Sequence, residues 1–409
     1  MRIQNRLTAF ISTLMVARFP AQQLLLSSLL ICSTSALYAQ KAGGTAEDSL
    51  NANWRFEPST DIGGYGNALY QHNSASQTAT ADLERVVLFV GHRFSPDISF
   101  FSELEVEDAK VTGGEEGGEV AFEQAYVKFS LDPMNYFKAG LFLPPLGILN
   151  EDHLPTSFNG NERTQVETYI IPSTWREIGV GFYGSINGTP LTYSAGLVTG
   201  LSGAAFENGS GIREGRFEGR LATANNGALT GSLQWNRGDL RAKVSGYYGG
   251  TVGVNSDSAS ALQLNSGFFG TPVGLGEADL QYSVNGFTFR ALGTFVSIPD
   301  AFALNRAYGN NTAESEYGAY LEVGYDLLSS RMKGAQLIGF VRYEKLDMNS
   351  KVPSNAVIDE RLNQQHVIVG LNYLPVNSVA LKADIRFFHT AASSESGTTF
   401  VNAGIGWSF

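Results

Sequence analysis

A chain of 409 residues is long enough for two ordinary domains or one large barrel. Only 16% of it is charged, while Gly numbers 46, Tyr 17 and Phe 26, and the mean hydropathy is near zero. The acidic balance, −11 with no basic cluster, argues against a nucleic-acid binder, and no stretch beyond residue 40 reaches 18 unbroken apolar residues, so helical membrane spanning is excluded.

Residues 1–39 read as a secretory leader. Arg2, Arg6 and Arg18 supply a basic start, and Leu24–Ile31 is an apolar segment too short to span a bilayer. Leu37-Tyr38-Ala39 before Gln40 is the expected cleavage site, with Leu37 bulkier than such sites prefer. Cys32 follows Ile31, where a lipid-attachment motif wants a small residue, so no lipid anchor is expected. Cleavage removes three arginines and the sole cysteine. It leaves 25 basic and 39 acidic residues, a net charge of −14, and neither disulfide nor thiolate metal site.

Residues 40–60 are polar and irregular, a short periplasmic lead-in. From there on, segments of alternating polarity follow one another. Asp61–Tyr70 is the first, its facing blurred by glycines, and Glu84–Phe94 the second. Ile98–Val106 is clearer, with Ile98, Phe100, Leu104 and Val106 opposing Glu103 and Glu105. Ala121–Leu131, Tyr136–Leu143, Glu177–Ile186, Leu191–Val198, Leu229–Trp235 and Leu240–Tyr248 come next. Glu277–Ser283, Phe287–Val296, Tyr317–Asp326, Ala335–Glu344, Val367–Tyr373 and Val379–Phe388 follow. The last segment is Phe400–Phe409, where Val401, Ala403, Ile405, Trp407 and Phe409 share one face and Asn402, Gly404, Gly406 and Ser408 the other.

These segments predict sixteen strands; fourteen and eighteen are the neighbouring even counts. The connections support the number. Short turns rich in Gly, Pro, Asn and Asp (Phe94–Asp97, Asp132–Asn135, Asn187–Pro190 and their successors) alternate with long segments: 71–83, 107–120, 144–176, 199–228, 249–276, 297–316, 345–366 and 389–399. Arg216–Leu221 also alternates, but a strand there would break the parity, so it is assigned to the 199–228 loop. Sorting of loop length by parity predicts an all-β, closed antiparallel transmembrane barrel over 61–409. At sixteen strands an aqueous channel is expected rather than a packed interior.

The most distinctive stretch is Leu143–Gly184. It carries Pro144-Pro145-Leu146-Gly147, Asn150-Glu151-Asp152-His153, Phe158-Asn159-Gly160-Asn161-Glu162-Arg163 and Thr174-Trp175-Arg176-Glu177. Here the chain resembles the phosphate-selective porin O/P-like family, as it does at Gly91-His92-Arg93-Phe94 and Phe340-Val341-Arg342-Tyr343-Glu344. The resemblance implies a sixteen-stranded porin of the bacterial outer membrane, passive transport, and a third outer loop folded inward. Such a loop would place Glu162, Arg163, Glu167, Trp175 and Arg176 at the constriction. The plainer alternative pairs Arg163 and Arg176 with Glu162, Glu167 or Glu177, merely holding the loop together. The arginine ladder and lysine clusters of the family's named members have no residue-by-residue match here, which separates the phosphate label from the porin reading. The ending on Trp407 and Phe409 resembles the terminal signal read by the barrel-assembly machinery.

With the lumen opposite the apolar face, the inward bases are Lys128, Lys138, Arg241, Lys243, Arg290, Arg342, Lys382 and Arg386. The inward acids are Glu103, Glu105, Glu277, Asp279, Glu322, Asp326, Glu344 and Asp384. The sets balance, so weak selectivity is expected, leaning to cations through acidic loop residues such as Glu115, Glu116, Glu119, Asp359 and Glu360. Glu151, Asp152 and His153 are adjacent and cannot all face one metal ion. No Ser–His pair sits in a nucleophile motif, so no enzyme and no cofactor are expected. The expected partners are outer-membrane lipid, the assembly machinery and small hydrophilic solutes or ions, with no nucleic acid; a homotrimer is an assembly open to such a barrel. The alternatives are a structural or adhesive barrel that hardly conducts and, third, a barrel enzyme.

Overall fold

The computed structural model describes residues 57–108, 118–329, 334–394 and 397–409. The expected leader, most of the lead-in, Glu115 and Glu116 lie outside the described residues.

Sixteen strands form a closed barrel. They are β1 Ser59–Asn73, β2 Thr78–Arg93, β3 Ile98–Glu107, β4 Glu119–Ser130, β5 Asn135–Phe142, β6 Glu177–Ser185, β7 Leu191–Thr199 and β8 Gly227–Arg237. Then come β9 Leu240–Gly250, β10 Pro272–Val284, β11 Phe287–Ser297, β12 Ser315–Asp326, β13 Gln336–Lys351, β14 Asn363–Val376, β15 Val379–Thr390 and β16 Thr398–Ser408. Each pairs antiparallel with its chain neighbour, and β1 pairs with β16, so the sheet has no open edge.

The alternation has the opposite sense to that of a water-soluble protein. On β12, Leu321 is 62% exposed while the adjacent Glu322 is 3% exposed. Leucines and aromatics point outward around the wall, and charged side chains point in. An apolar outside with a polar inside is the solution lipid imposes on a closed sheet.

Several connections differ from the expected ones. The segment 71–83 is not a loop: β1 and β2 run on as a hairpin whose turn is held by Asn73 Oδ1, accepting from the amides of Ala75 and Ser76. Its Thr, Ala and Asp residues pair without any apolar face to betray them. β13 likewise runs to Lys351, which shortens the expected 345–366 loop to 352–362. Arg216–Leu221, by contrast, is loop as expected: it is a turn with positive φ at Glu218 and Leu221.

The interior is not simply aqueous. Leu146, Ile148, Ile171 and Trp175 of the long connection after β5 join Leu201, Phe206 and Ile212 of the connection after β7, then Val252, Leu264, Ile298 and Leu304, in one apolar cluster. Inward wall residues Tyr247 and Tyr320 belong to it. The long connections thus pack against each other within the barrel end they leave, because each carries apolar residues that water would leave exposed.

Candidate functional site

The connection from Leu143 to Arg176 crosses the lumen. Beyond β5 the chain turns inward through Pro144 and Pro145, and Gly147 takes the left-handed conformation (φ 68°). Asn150 ties the two legs together: its Nδ2 donates to the Pro144 and Trp175 carbonyls at 2.8 and 3.2 Å, and its Oδ1 accepts from the Trp175 amide at 2.6 Å. A short helix, α1 (Gln165–Tyr169), is capped by Thr164. Within it Glu167 acts as a staple. Its Oε1 accepts from the amides of Ile148 and Leu149, both at 2.6 Å, and its Oε2 accepts from Tyr320 Oη at 2.8 Å. Burial raises the Glu167 carboxyl above its ordinary value, and these hydrogen bonds only partly oppose that.

The wall holds the crossing loop through the inward charges. Lys382 Nζ donates to the carbonyls of Phe158 and Gly160 at 2.9 and 2.8 Å, and Asp384 accepts from the Asn161 amide at 2.8 Å. Glu322 accepts from Asn159 at 3.0 Å, and Arg290 donates to the Ser157 carbonyl at 2.8 Å. Lys243 donates to the Gly147 carbonyl and lies 3.5 Å from Asp279. Glu344 accepts from the Val166 amide at 3.2 Å and pairs with Arg342 at 2.8 Å. These side chains compensate one another or the loop's backbone, as buried charge requires. The small face of β16 is part of the seat. A Cβ on Gly404 would come 2.3 Å from Asn161 Oδ1, and one on Gly406 2.7 Å from Pro155.

The five loop residues singled out from the sequence occupy different settings. Glu162 pairs with Arg386 at 2.9 Å and accepts from Asn402. Glu167 is the buried staple. Trp175 is fully buried and donates from Nε1 to Glu177 at 2.9 Å. Arg176 reaches Glu218 at 2.8 Å and Glu105 at 4.0 Å rather than any of the three acids expected for it. Glu218 comes from the connection after β7, which folds over the first, and nothing local in the sequence marks that approach. Arg163 has no hydrogen bond or ion pair among the described residues; its electrostatic neighbours are Arg85, Glu123 and Glu105.

Elsewhere on the wall, Lys128 lies over the Tyr136 ring at 4.1 Å, and Lys138 between Tyr126 and Tyr183 at 4.7 and 4.6 Å. Arg241 follows the same face of β9 as Lys243.

Sequence reasoning missed Arg85, Tyr65 and Glu123. Arg85 pairs with Glu105 at 3.2 Å and Glu107 at 3.0 Å. Glu123 is hidden by a register shift between β3 and β4: Glu103 pairs with Gln124 and Leu104 with Phe122, leaving Glu123 as a bulge. Both Glu123 and Gln124 are buried, so strict alternation fails there. Tyr65 donates to Glu123 at 2.6 Å, Thr174 donates to it at 2.9 Å, and His153 lies 3.4 Å from it. Burial disfavours the charged imidazole of His153, but the charge and hydrogen bond of Glu123 outweigh that and hold its pKa above the ordinary value.

No family model matches the chain. A curated relative from Aquifex aeolicus (strain VF5), described as an uncharacterized protein, is 28% identical over 369 residues, covering 87% of this chain and 81% of that one. Among solved structures, Salmonella typhi OmpF in complex with daunomycin aligns with a TM-score of 0.54 at 11% identity, covering 86% of this chain and 97% of that one. The in-vitro folded, trimeric form of OmpT, an outer membrane protein of Vibrio cholerae, gives 0.53 at 11% identity over 87% and 100%. The outer membrane channel DcaP of Acinetobacter baumannii gives 0.50 at 12% identity over 88% and 100%. At these identities the likeness is one of fold.

Proposed function

We propose that the chain is a porin of the bacterial outer membrane, passing small hydrophilic solutes and ions by diffusion through a lumen narrowed by residues 143–176. The observation that carries this reading is the inversion of polarity around a closed barrel, with a loop seated across its inside. The fold it shares with a named outer membrane channel supports the reading, and the trimeric neighbour supports a homotrimer. Arg163, which makes no ion pair among the described residues, is the loop charge assigned to the solute path, since Glu162, Glu167, Trp175 and Arg176 are taken up in holding the loop. Most wall charges are compensated, so selectivity is weak, leaning to cations at low salt and fading as salt rises. Phosphate or another anion as the preferred solute rests on the family resemblance alone.

One observation favours a second reading, a barrel that scarcely conducts: the apolar cluster of long connections occupies the interior at one end. Planar-bilayer recording separates the two. A porin gives unitary steps as wild type and larger steps after deletion of 150–168. Silence in the wild type with steps only in the folded deletion establishes the second reading. A reversal potential with strong anion preference overturns the weak selectivity proposed here.

A further inference from the structure

We propose that Glu103 of β3, Glu123 of β4 and His153 of the crossing loop form a binding site for one divalent transition-metal ion, zinc by their chemistry, which ties the loop to the barrel wall. The three residues offer one ligand atom each, and these atoms all lie within 4.8 Å of one another. Exposures of 6%, 0% and 4% put all three out of bulk water. Glu151 and Asp152, beside His153 in the chain, take no part; the carboxylates arrive from the wall instead.

The surroundings are those of a metal site's outer ring. His153 Nδ1 lies 3.1 Å from the Asn150 carbonyl, which can only accept, so Nδ1 carries a proton and Nε2 faces the carboxylates. Thr174 donates to Glu123 Oε1 at 2.9 Å, and Gln124 donates to Glu103 Oε2 at 2.7 Å. His153 and Glu123 thus each have their far atom held by a neutral group while Nε2 and Oε2 face one another, and one Glu103 oxygen is held by Gln124, which is how outer partners orient metal ligands. Tyr65 Oη, 2.9 Å from His153 Nε2 and 2.6 Å from Glu123 Oε2, stands where a fourth oxygen ligand or a metal-bound water would be steadied.

The spacing fits a small tetrahedral ion. Bonds of about 2.0–2.1 Å require ligand atoms roughly 3.3 Å apart. His153 Nε2 and Glu123 Oε2 are already at 3.4 Å, and Glu103 has to close from no more than 4.8 Å. One imidazole nitrogen with two carboxylate oxygens suits zinc and its first-row neighbours, whereas calcium and magnesium seek an all-oxygen shell. Two carboxylates balance the ion's two charges. Arg163 nearby opposes any cation and limits the affinity.

The test is zinc titration of the full-length, detergent-solubilised barrel against a chromophoric zinc indicator, with folding checked by heat-modifiable gel mobility. One zinc per chain is expected, beyond what His153→Ala retains, and calcium in excess does not displace it. Glu103→Gln, which keeps the side-chain volume and the contact with Gln124, weakens binding by ~10-fold or more. It is the deciding variant if His153→Ala fails to fold. Identical titrations for wild type and a folded variant, or displacement of zinc by calcium, overturn the proposal. Binding is read without any current, so the site stands or falls separately from the porin reading.

Discussion

Phe409 and Gly64 exchange both of their main-chain hydrogen bonds, Phe409 N–H to the Gly64 carbonyl at 2.9 Å and Gly64 N–H to the Phe409 carbonyl at 3.1 Å. They form a terminal rung of the seam that closes the barrel. The Phe409 residue is 64% exposed on the outer surface, so removing it bares two backbone groups as well as losing a ring. Deleting Phe409 is expected to lower the folded fraction more than Phe409→Ala, which keeps the rung. Each hydrogen bond is worth about 0.5–1.5 kcal/mol net in water, and more where lipid replaces water. Heat-modifiable mobility of the two variants, side by side, measures the difference; equal yields would assign the effect to the ring alone.

The Glu167 staple predicts a pH dependence confined to the loop. Its carboxyl binds a proton more readily folded than unfolded, so between the ordinary carboxylate range and the raised value the seated state holds more protons. The contribution is greatest below the unfolded value and declines as pH rises through the folded one. Hydrogen exchange of the Ile148 and Leu149 amides should therefore show a local opening free energy that falls across that window, after correction for intrinsic exchange. Glu167→Gln is expected to flatten the dependence while keeping the bonds. Glu167→Ala should speed exchange at every pH, since each buried amide left unpaired costs about 1–3 kcal/mol.

Two arginines of the loop should behave oppositely. Arg163 makes no ion pair among the described residues, so Arg163→Ala is expected to cost less stability than Arg176→Ala while shifting the reversal potential towards cations. Arg176→Ala takes one partner from Glu218, which keeps Arg216 at 2.8 Å, and one from Glu105, which keeps Arg85 at 3.2 Å. With the Glu218 side chain 28% exposed, the loss is put at roughly 1–3 kcal/mol, below that for a fully buried pair. Denaturant unfolding together with bilayer recording checks both arms, and a stability loss at Arg163 equal to that at Arg176 would count against this assignment.

The glycine seat on β16 predicts a third contrast. Gly404→Val places side-chain atoms where Asn161 Oδ1 lies and is expected to unseat the loop, seen as faster proteolysis within 150–168 while the barrel stays folded. Gly293→Ala is the control, since a Cβ there meets nothing within 4 Å.

Strand number and closure were legible because lipid imposes period-2 alternation and parity of loop length on every strand. The inward register was legible for the same reason at Lys382, Asp384 and Arg386. Legibility failed where a single extra residue reset the alternation, as at Glu123, and where a polar hairpin such as Asn73–Thr78 lacked an apolar face to read. It failed again for Glu218, whose partner Arg176 is 42 residues away, because pairing between two loops leaves no periodic trace. The packed interior was missed for a related reason: Leu201, Phe206 and Ile212 are scattered singly through a segment that reads as loop.

The seat of the crossing loop has a consequence for the order of events in biogenesis. Asn161 rests on Asp384, 223 residues further along the chain, and Pro155 rests on Gly406. Those supports belong to β15 and β16, the last two strands of the barrel in chain order and the last to be inserted if strands enter in sequence. On that order the loop, with its apolar residues, lacks its resting place until β15 and β16 are in position.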